Sequence, residues 1–259
     1  MDITLFQNTI ESGLKKSKQL EDYAIPYFIK SMLAGLYLGI VVFIYWNLSQ
    51  NLSASPFGKV IASLFFGVGL YIIVITGAEL FTGNNMFMTL SSLSKKTSWT
   101  QTLKLWAICY LGNLVGSIAI ALLLWGANSY ASLSPEHALY TGAIAKTSLP
   151  ASVIFFRGVL ANWIVCLAIW VGLHVKEDIT KLFSIVSIVF MFLYLGFEHS
   201  IANMALFSMA IIGKGDLTVL AAGYNLLWAT LGNIVGGGGL IGLVYWLVNR
   251  NHLVSKGKS

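Results

Sequence analysis

Charged residues are scarce in this chain: they make up 10% of its 259 residues, against about 25% in an ordinary soluble domain. Proline occurs four times and cysteine twice. Cys109 and Cys166 each lie in an apolar run without companions at metal-ligand spacing. The composition therefore excludes a soluble globular domain, and we predict no disulfide, no metal site and no cofactor.

Signatures of enzymes are missing as well. The chain contains no His-Glu-x-x-His, no Gly-x-Ser-x-Gly and no cysteine cluster. Glu198 and His199 are adjacent, so on a helix they point about 100° apart and do not share one face. We predict that the protein is not an enzyme. A net charge of +6 would suit nucleic-acid binding in a soluble protein, but here basic residues cluster at the ends of apolar segments, so no nucleic-acid partner is expected.

Apolar residues dominate what is present. They make up 57% of the chain, and the mean hydropathy is +0.77. These values predict an integral membrane protein surrounded by a lipid bilayer, with an all-α fold. Each spanning helix needs about 20 mostly apolar residues, so this length accommodates roughly six spans. We place them at approximately 28–48, 60–90, 103–126, 151–173, 182–212 and 222–248.

The distribution of Lys and Arg predicts an orientation. Segments rich in these residues tend to stay in the cytoplasm, so we expect a multi-pass protein of the inner or plasma membrane with both termini cytoplasmic. Twelve of the sixteen fall on the side of the termini: Lys15, Lys16, Lys18, Lys30, Lys95, Lys96, Lys104, Lys176, Lys181, Arg250, Lys256 and Lys258.

The first 27 residues predict an amphipathic helix. Ile3, Phe6, Ile10 and Leu14 recur at helical spacing, and polar residues occupy the rest of the wheel. Two interpretations stay open: a helix lying in the headgroup region, or an ordinary packing helix.

Two spans carry polar residues at bilayer depth. Glu79 and Asn84 lie in the second span, and Glu198, His199 and Asn203 lie in the fifth. Non-helical backbone at this depth is tolerated only where it is buried in protein or lines a cavity. We predict that both helices are broken here. The two glutamates and two asparagines are expected to build the breaks, with the carboxylates receiving backbone N–H groups.

These two clusters belong to an internal repeat. Three residues of the first recur 119 positions later in the second: Gly77, Glu79 and Asn84 match Gly196, Glu198 and Asn203. The run Leu-Gly-Asn-Leu-Val-Gly at 111–116 recurs as Leu-Gly-Asn-Ile-Val-Gly at 231–236. Since three spans are an odd number, the second copy must be inverted in the membrane. We predict one transmembrane channel domain over 1–259, with repeats at 28–127 and 151–249.

The repeated run also predicts two structural duties. We expect Asn113 and Asn233 to satisfy backbone groups freed by the helix breaks. The glycine steps are expected to let helices approach closely, as small residues commonly do in membranes: Gly112 with Gly116, and Gly232 with Gly236.

His199 is the polar residue that breaks the repeat, because Leu80 stands at its position in the first copy. An imidazole titrates near neutrality, so it can give a proton or hydrogen bond to an anion; the alternative is a histidine bonded within the bundle. Lys146 is either an ordinary loop lysine or an attraction for anions at the outer mouth. Arg157 has that second role or extends to lipid headgroups.

Four motifs resemble the formate/nitrite transporter family: Gly-Ala-Glu-Leu-Phe-Thr-Gly at 77–83, Asn-Trp-Ile-Val-Cys-Leu-Ala at 162–168, Gly-Phe-Glu-His-Ser-Ile-Ala-Asn-Met at 196–204 and Leu-Gly-Asn at 231–233. The resemblance covers essentially the whole chain. It implies an aquaporin-like protomer of six spans, assembled as a homopentamer with one pore for small monovalent anions in each protomer. Aquaporins themselves do not match, because Asn-Pro-Ala is absent.

The resemblance also implies roles for single residues. His199 would be the central pore histidine, Thr82 the threonine facing it, Asn162 its hydrogen-bonding neighbour and Lys146 the mouth lysine. Two hydrophobic constrictions are implied: Leu80 and Phe81 in one, Val165 and Phe192 in the other.

Nitrite is the expected permeant, because the segments 145–147, 162–163 and 225–228 look most like those of nitrite channels. We expect permeation to depend on pH through a proton or hydrogen bond linked to His199. Formate or hydrosulfide is the alternative within the family. Outside it, a non-transporting scaffold or sensor and a channel for neutral solutes remain open.

Overall fold

The computed structural model describes residues 3–251; Lys256 and Lys258, which were counted for orientation, lie outside this range. The helices are α1 (Ile3–Asp22), α2 (Ala24–Asn51), α3 (Gly58–Thr76), α4 (Phe81–Leu93), α5 (Trp99–Gly126), α6 (Ala138–Thr147), α7 (Ala151–His174), α8 (Asp178–Tyr194), α9 (Ser200–Ile212), α10 (Val219–Ile234) and α11 (Val244–Asn249). A π-helical segment, Val235–Leu243, joins α10 to α11.

The all-α membrane fold predicted from the sequence is confirmed. Five helical stretches of the described chain are long and apolar enough to cross a membrane: α2, α3, α5, α7 and the continuous α10–α11. The second span is divided into α3 and α4, and the fifth into α8 and α9. Each half-helix that follows a break, α4 and α9, has 13 residues. Both predicted breaks are therefore present.

The two copies repeat the order of a whole span, a broken span and a whole span. In the first copy α2 packs along α5, and in the second α7 packs along α10. The short helix α6 belongs to the connection between the copies. The second copy is inverted relative to the first, as in aquaporins.

Glycines let these paired helices approach each other. A side chain at Gly116 would collide with the carbonyl of Met32 in α2, and one at Gly236 would collide with the carbonyl of Val159 in α7. Backbones at this separation leave no room for a Cβ atom. The repeated glycine steps therefore serve packing.

The N-terminal helix packs against the body of the protein. Phe6 and Ile10 are buried, and Gly13 lies against the backbone of Phe87 in α4. The amphipathic segment is therefore a helix that packs on the protein. The contact places Lys16 of α1 beside the first helix break, with Nζ 2.7 Å from the Glu79 carboxylate.

One feature of the sixth span was not predicted. Between α10 and α11 the backbone is π-helical through the glycine-rich run, where Gly238 and Gly242 face Thr89 of α4. A side chain at Gly237 would collide with the amide of Asn162. The glycines thus bring the widened turn against both α4 and α7.

Candidate permeation site

Each helix break contains a glycine in the left-handed region. Gly77 has φ 68° and Gly196 has φ 71°, a conformation that costs glycine little and other residues more. The N–H group of the next residue bonds back five positions in both copies, from Ala78 to the carbonyl of Ile73 at 3.1 Å and from Phe197 to that of Phe192 at 3.0 Å. Positions 119 residues apart in sequence therefore make the same turn, which frees the next few residues to start a second half-helix.

An asparagine on the next unbroken span forms hydrogen bonds with the backbone of each helix break. Asn113 Oδ1 accepts the N–H of Phe81, the first residue of α4, at 2.9 Å. Asn113 Nδ2 donates to the carbonyl of Glu79 at 2.9 Å. The second copy repeats these bonds at 2.8 and 2.9 Å with Asn233, Ser200 and Glu198. Both asparagines perform the duty predicted for them.

The Glu79 carboxylate is enclosed by side-chain donors. Lys16 Nζ of α1 lies 2.7 Å from both carboxylate oxygens. Asn84 Nδ2 donates to Oε2 at 2.9 Å, and the Tyr27 hydroxyl donates at 3.3 Å. Such bonding offsets the cost of placing a charge in a low-dielectric interior.

Glu198 is held in the same way. Lys146 Nζ of α6 donates to Oε1 at 2.8 Å. Asn203 Nδ2 donates to Oε2 at 2.6 Å, and Asn225 Nδ2 donates at 3.3 Å. The carboxylate is fully buried, whereas Lys146 keeps one fifth of its side chain exposed. Each break thus contains a Lys–Glu ion pair with an asparagine beside it.

These partners differ from those expected. The carboxylates were predicted to accept backbone N–H groups, but the N–H groups that open α4 and α9 bond to Asn113 and Asn233 instead. Lys16 was missed as a partner of Glu79, 63 positions away, because nothing in the sequence separates it from the other lysines of the first helix. Lys16 and Lys146 both lie outside the two repeats, so the repeat gave no signal for either ion pair.

Two cavities open beside the ion pairs. The Lys16 cavity has a volume of about 160 Å³, and its lining includes Lys16, Glu79, Leu80, Asn84 and Leu70. The Lys146 cavity has a volume of about 270 Å³, and its lining includes Lys146, Glu198, Asn203, Arg157, Tyr45 and Trp46. Each cavity contains one of the two helix breaks, and since the two copies are inverted, the cavities approach the midplane from opposite sides.

His199 and Thr82 meet between the cavities and belong to the lining of neither. Thr82 Oγ1 lies 2.9 Å from His199 Nε2. His199 is also the N-cap of α9, and its Nδ1 accepts the N–H of Ala202 at 3.2 Å. Since Nδ1 is an acceptor, a neutral ring carries its proton at Nε2 and donates it to Thr82. The hydroxyl hydrogen of Thr82 is then available to another acceptor.

Apolar side chains surround this central pair. The Phe192 ring stacks on the imidazole of His199, with centroids 5.8 Å apart. Leu80 lines the Lys16 cavity. Phe81 packs instead against the rings of Trp106 and Tyr110 in α5. Of the four expected constriction residues, Leu80 thus lines a cavity and Phe192 contacts His199.

Val165 and Asn162 are buried side chains of α7. Val165 is 2% exposed and, like Phe81, lines neither cavity. Asn162 was expected to bond to the central histidine, but its amide donates to the carbonyl of Thr82 at 3.1 Å and to that of Asn233 at 2.6 Å. Asn162 thus ties α4 to α10.

This combination of inverted repeats, broken helices and facing cavities defines a membrane transport protein of the channel type. The family model for the formate/nitrite transporters matches residues 3–247. The chain belongs to the formate/nitrite transporter family, as its motifs indicated. That family consists of channels and transporters rather than enzymes, which confirms the prediction made from the missing catalytic signatures.

Comparison with known proteins gives the degree of similarity. The chain is 35% identical to the uncharacterized transporter YwcJ of Bacillus subtilis (strain 168), over 96% of this chain and 99% of that protein. It is 39% identical to the nitrite transporter NirC of Escherichia coli (strain K12), over 86% and 83%.

Solved structures are similar along most of the chain. One described as an FNT family ion channel superposes with a TM-score of 0.89 at 34% identity, covering 95% of this chain and 98% of that one. A pentameric formate channel with formate bound superposes with a TM-score of 0.76 at 28% identity, covering 89% and 99%.

Proposed function

We propose that this protein is a pH-dependent channel for small monovalent anions, with nitrite as its main permeant and formate and hydrosulfide as further ones. The observation that carries the proposal is the His199–Thr82 hydrogen bond, placed between two cavities that each contain a lysine. The similarity to a nitrite transporter at 39% identity supports the choice of nitrite.

The anion enters a cavity near Lys146 or Lys16. A positive charge in a narrow, partly apolar cleft attracts anions over several ångströms. Glu79 and Glu198 do not repel them strongly, because each carboxylate is paired with its lysine. The anion then has to cross the apolar centre, where it loses most of its hydration.

The central pair lowers the cost of that crossing. The Thr82 hydroxyl, held by the imidazole of His199, donates a hydrogen bond to the anion, and hydrogen bonds to a charged group are worth about 1.5–3 kcal/mol. A proton taken from solution removes the remaining charge. Because the anion takes up this proton while the central pair holds it, flux increases as pH falls and loses this dependence when the pair is removed.

We further propose a homopentamer in the inner or plasma membrane, with one pore per protomer and both termini in the cytoplasm. The pentameric assembly of a structural neighbour supports the first part, and the distribution of lysines and arginines supports the orientation. In this orientation the Lys16 cavity opens to the cytoplasm and the Lys146 cavity to the opposite side.

Flux measurements in proteoliposomes test the proposal. Nitrite, formate, hydrosulfide, acetate and chloride would be compared at two pH values, for the wild type and for Thr82→Val. Valine keeps the shape of threonine and removes the hydroxyl, so losing about 1.5 kcal/mol at the barrier would reduce nitrite flux about tenfold. Thr89→Val is the matched control, because Thr89 is also buried on α4 but faces the glycine-rich π-helical turn.

Two results would contradict the proposal. A wild-type protein that transports none of these anions faster than empty liposomes would not be an anion channel, and a scaffold or sensor would then be the better description. If the wild type transports these anions and Thr82→Val has the same flux and pH dependence, the protein is an anion channel in which the His199–Thr82 pair does not contribute to permeation.

A further inference from the structure

The two cavities differ in charge. Lys16 and Glu79 are the charged residues in the lining of the Lys16 cavity, so their formal charges cancel. The lining of the Lys146 cavity contains Lys146, Arg157 and Glu198, which gives a formal charge of +1. The excess charge comes from Arg157, because Lys146 is already paired with Glu198 at 2.8 Å.

Arg157 is fixed beside the second helix break by its backbone. It lies in the second turn of α7, and its carbonyl accepts the N–H of Glu198 at 3.3 Å. The side chain is partly buried and lines the cavity. Within residues 3–251, no acceptor bonds to its guanidinium. Arg157 therefore presents an uncommitted set of donors to the cavity, instead of extending only toward headgroups.

The first copy of the repeat lacks such a residue. There the carbonyl of Lys30 accepts the N–H of Glu79 at 3.1 Å, so Lys30 occupies the backbone position that Arg157 has in the second copy. The side chain of Lys30 does not line the Lys16 cavity. The extra cation is thus a property of one mouth and not of the repeated fold.

We propose that Arg157 forms an anion-binding site in the Lys146 cavity that prefers planar anions with two oxygen atoms, such as nitrite and formate. A guanidinium carries parallel N–H donors that match two oxygens on one atom, whereas a lysine ammonium acts as a point charge. Chloride and hydrosulfide offer a single acceptor atom and gain only the charge. The rings of Tyr45, Trp46 and Phe66 line part of this cavity, and low-dielectric walls of this kind strengthen the attraction.

This inference rests on the proposed function, and flux measured separately from each side tests it. Right-side-out and inside-out membrane vesicles would give the half-saturating concentration of each anion at the Lys146 mouth and at the Lys16 mouth. The variants are Arg157→Gln, which removes both the charge and the parallel N–H donors of the guanidinium, and Arg157→Lys, which removes only the parallel donors. Lys59→Gln is the matched control, because this exposed lysine lies at the start of α3 outside the cavity, with Nζ 4.9 Å from the ring centroid of Tyr194.

We expect Arg157→Gln to raise the half-saturating concentration of nitrite and formate at the Lys146 mouth on the order of tenfold, with little change at the Lys16 mouth. In Arg157→Lys, the half-saturating concentrations of hydrosulfide and chloride should be about those of the wild type. Those of nitrite and formate should stay about threefold or more above the wild-type values. Lys59→Gln should match the wild type.

Equal half-saturating concentrations in the wild type and Arg157→Gln would overturn the proposed site. Wild-type half-saturating concentrations of nitrite and formate in Arg157→Lys would overturn the preference for anions with two oxygens. A wild type without anion flux would instead refute the proposed function, so the two failures are distinguishable. Size-exclusion chromatography of each purified variant identifies any loss of flux caused by misfolding, and Arg157→Lys retains the charge should Arg157→Gln not fold.

Discussion

His199 performs two tasks at once, and substituting it by asparagine separates them. Its Nδ1 caps α9 by accepting the N–H of Ala202, while its Nε2 bonds to Thr82. Asparagine is among the best N-cap residues, so His199→Asn keeps an acceptor for Ala202. Its side chain is too short to replace the ring at Thr82. His199→Ala loses both contacts.

The two variants should therefore differ in stability and agree in transport. Losing an N-cap costs about 0.5–2 kcal/mol, and losing the bond to Thr82 costs about 0.5–1.5 kcal/mol. We expect the free energy of unfolding to fall by about 1 kcal/mol in His199→Asn and by about 2 kcal/mol or more in His199→Ala, where a cavity also forms beside Phe192.

Nitrite flux should fall on the order of tenfold in both variants and lose most of its pH dependence, because both leave Thr82 unheld. Stopped-flow flux in proteoliposomes and thermal unfolding in detergent measure the two effects. His174→Asn is the matched control, since His174 is exposed and its Nδ1 contacts the carbonyl of Trp170 in its own helix. Wild-type flux and pH dependence in His199→Asn would refute the reasoning, because the contact between His199 and Thr82 would then be dispensable.

Two further predictions concern packing and pH. Gly236→Ala should lower the free energy of unfolding by about 1–3 kcal/mol, because the new Cβ collides with the carbonyl of Val159. Gly126→Ala is the control and should not lower it, because there is open space around Gly126. Equal melting temperatures of the two variants would contradict this prediction. Burial lowers the pKa of His137 below its ordinary value of 6.5, and Nδ1 of this residue accepts the N–H of Leu139 at the start of α6. The neutral form is favoured in the fold, so its stabilisation is complete above pH 6.5 and is lost as pH falls below that value. Melting temperatures should fall less between pH 7 and 5 in His137→Asn than in the wild type; an equal fall would remove His137 as the cause.

Local sequence patterns predicted much of the fold. The broken helices were predictable because Gly77 and Gly196 occur beside polar residues inside apolar spans, and the structure has φ near 70° at both. The glycine steps were predictable for the same reason: a small residue at a repeated helical position allows close approach wherever it occurs. The π-helical turn could not be predicted, because a run of glycines is compatible with several backbone conformations.

Pairings between distant residues could not be predicted. The partners of Glu79 depend on where α1 packs, and the contact between Phe81 and Tyr110 depends on the angle of α5. The site of Asn162 likewise depends on α4 and α10 meeting at one point. A sequence records which side chains are available, but the direction each one takes follows from packing of whole helices.

The sequence by itself determined that this is a membrane protein of six spans in two inverted copies, with a histidine in the second helix break where the first copy has a leucine. Hydropathy identifies the spans because it reflects whether a segment lies in lipid or in water. The repeat is visible directly as matching residues at a constant offset. Only the tertiary structure decided that Lys16 and Lys146 neutralise Glu79 and Glu198, and that the Arg157 guanidinium lines a cavity without an acceptor among residues 3–251. Electrostatic balance depends on distances of a few ångströms, and those distances exist only after the helices have packed.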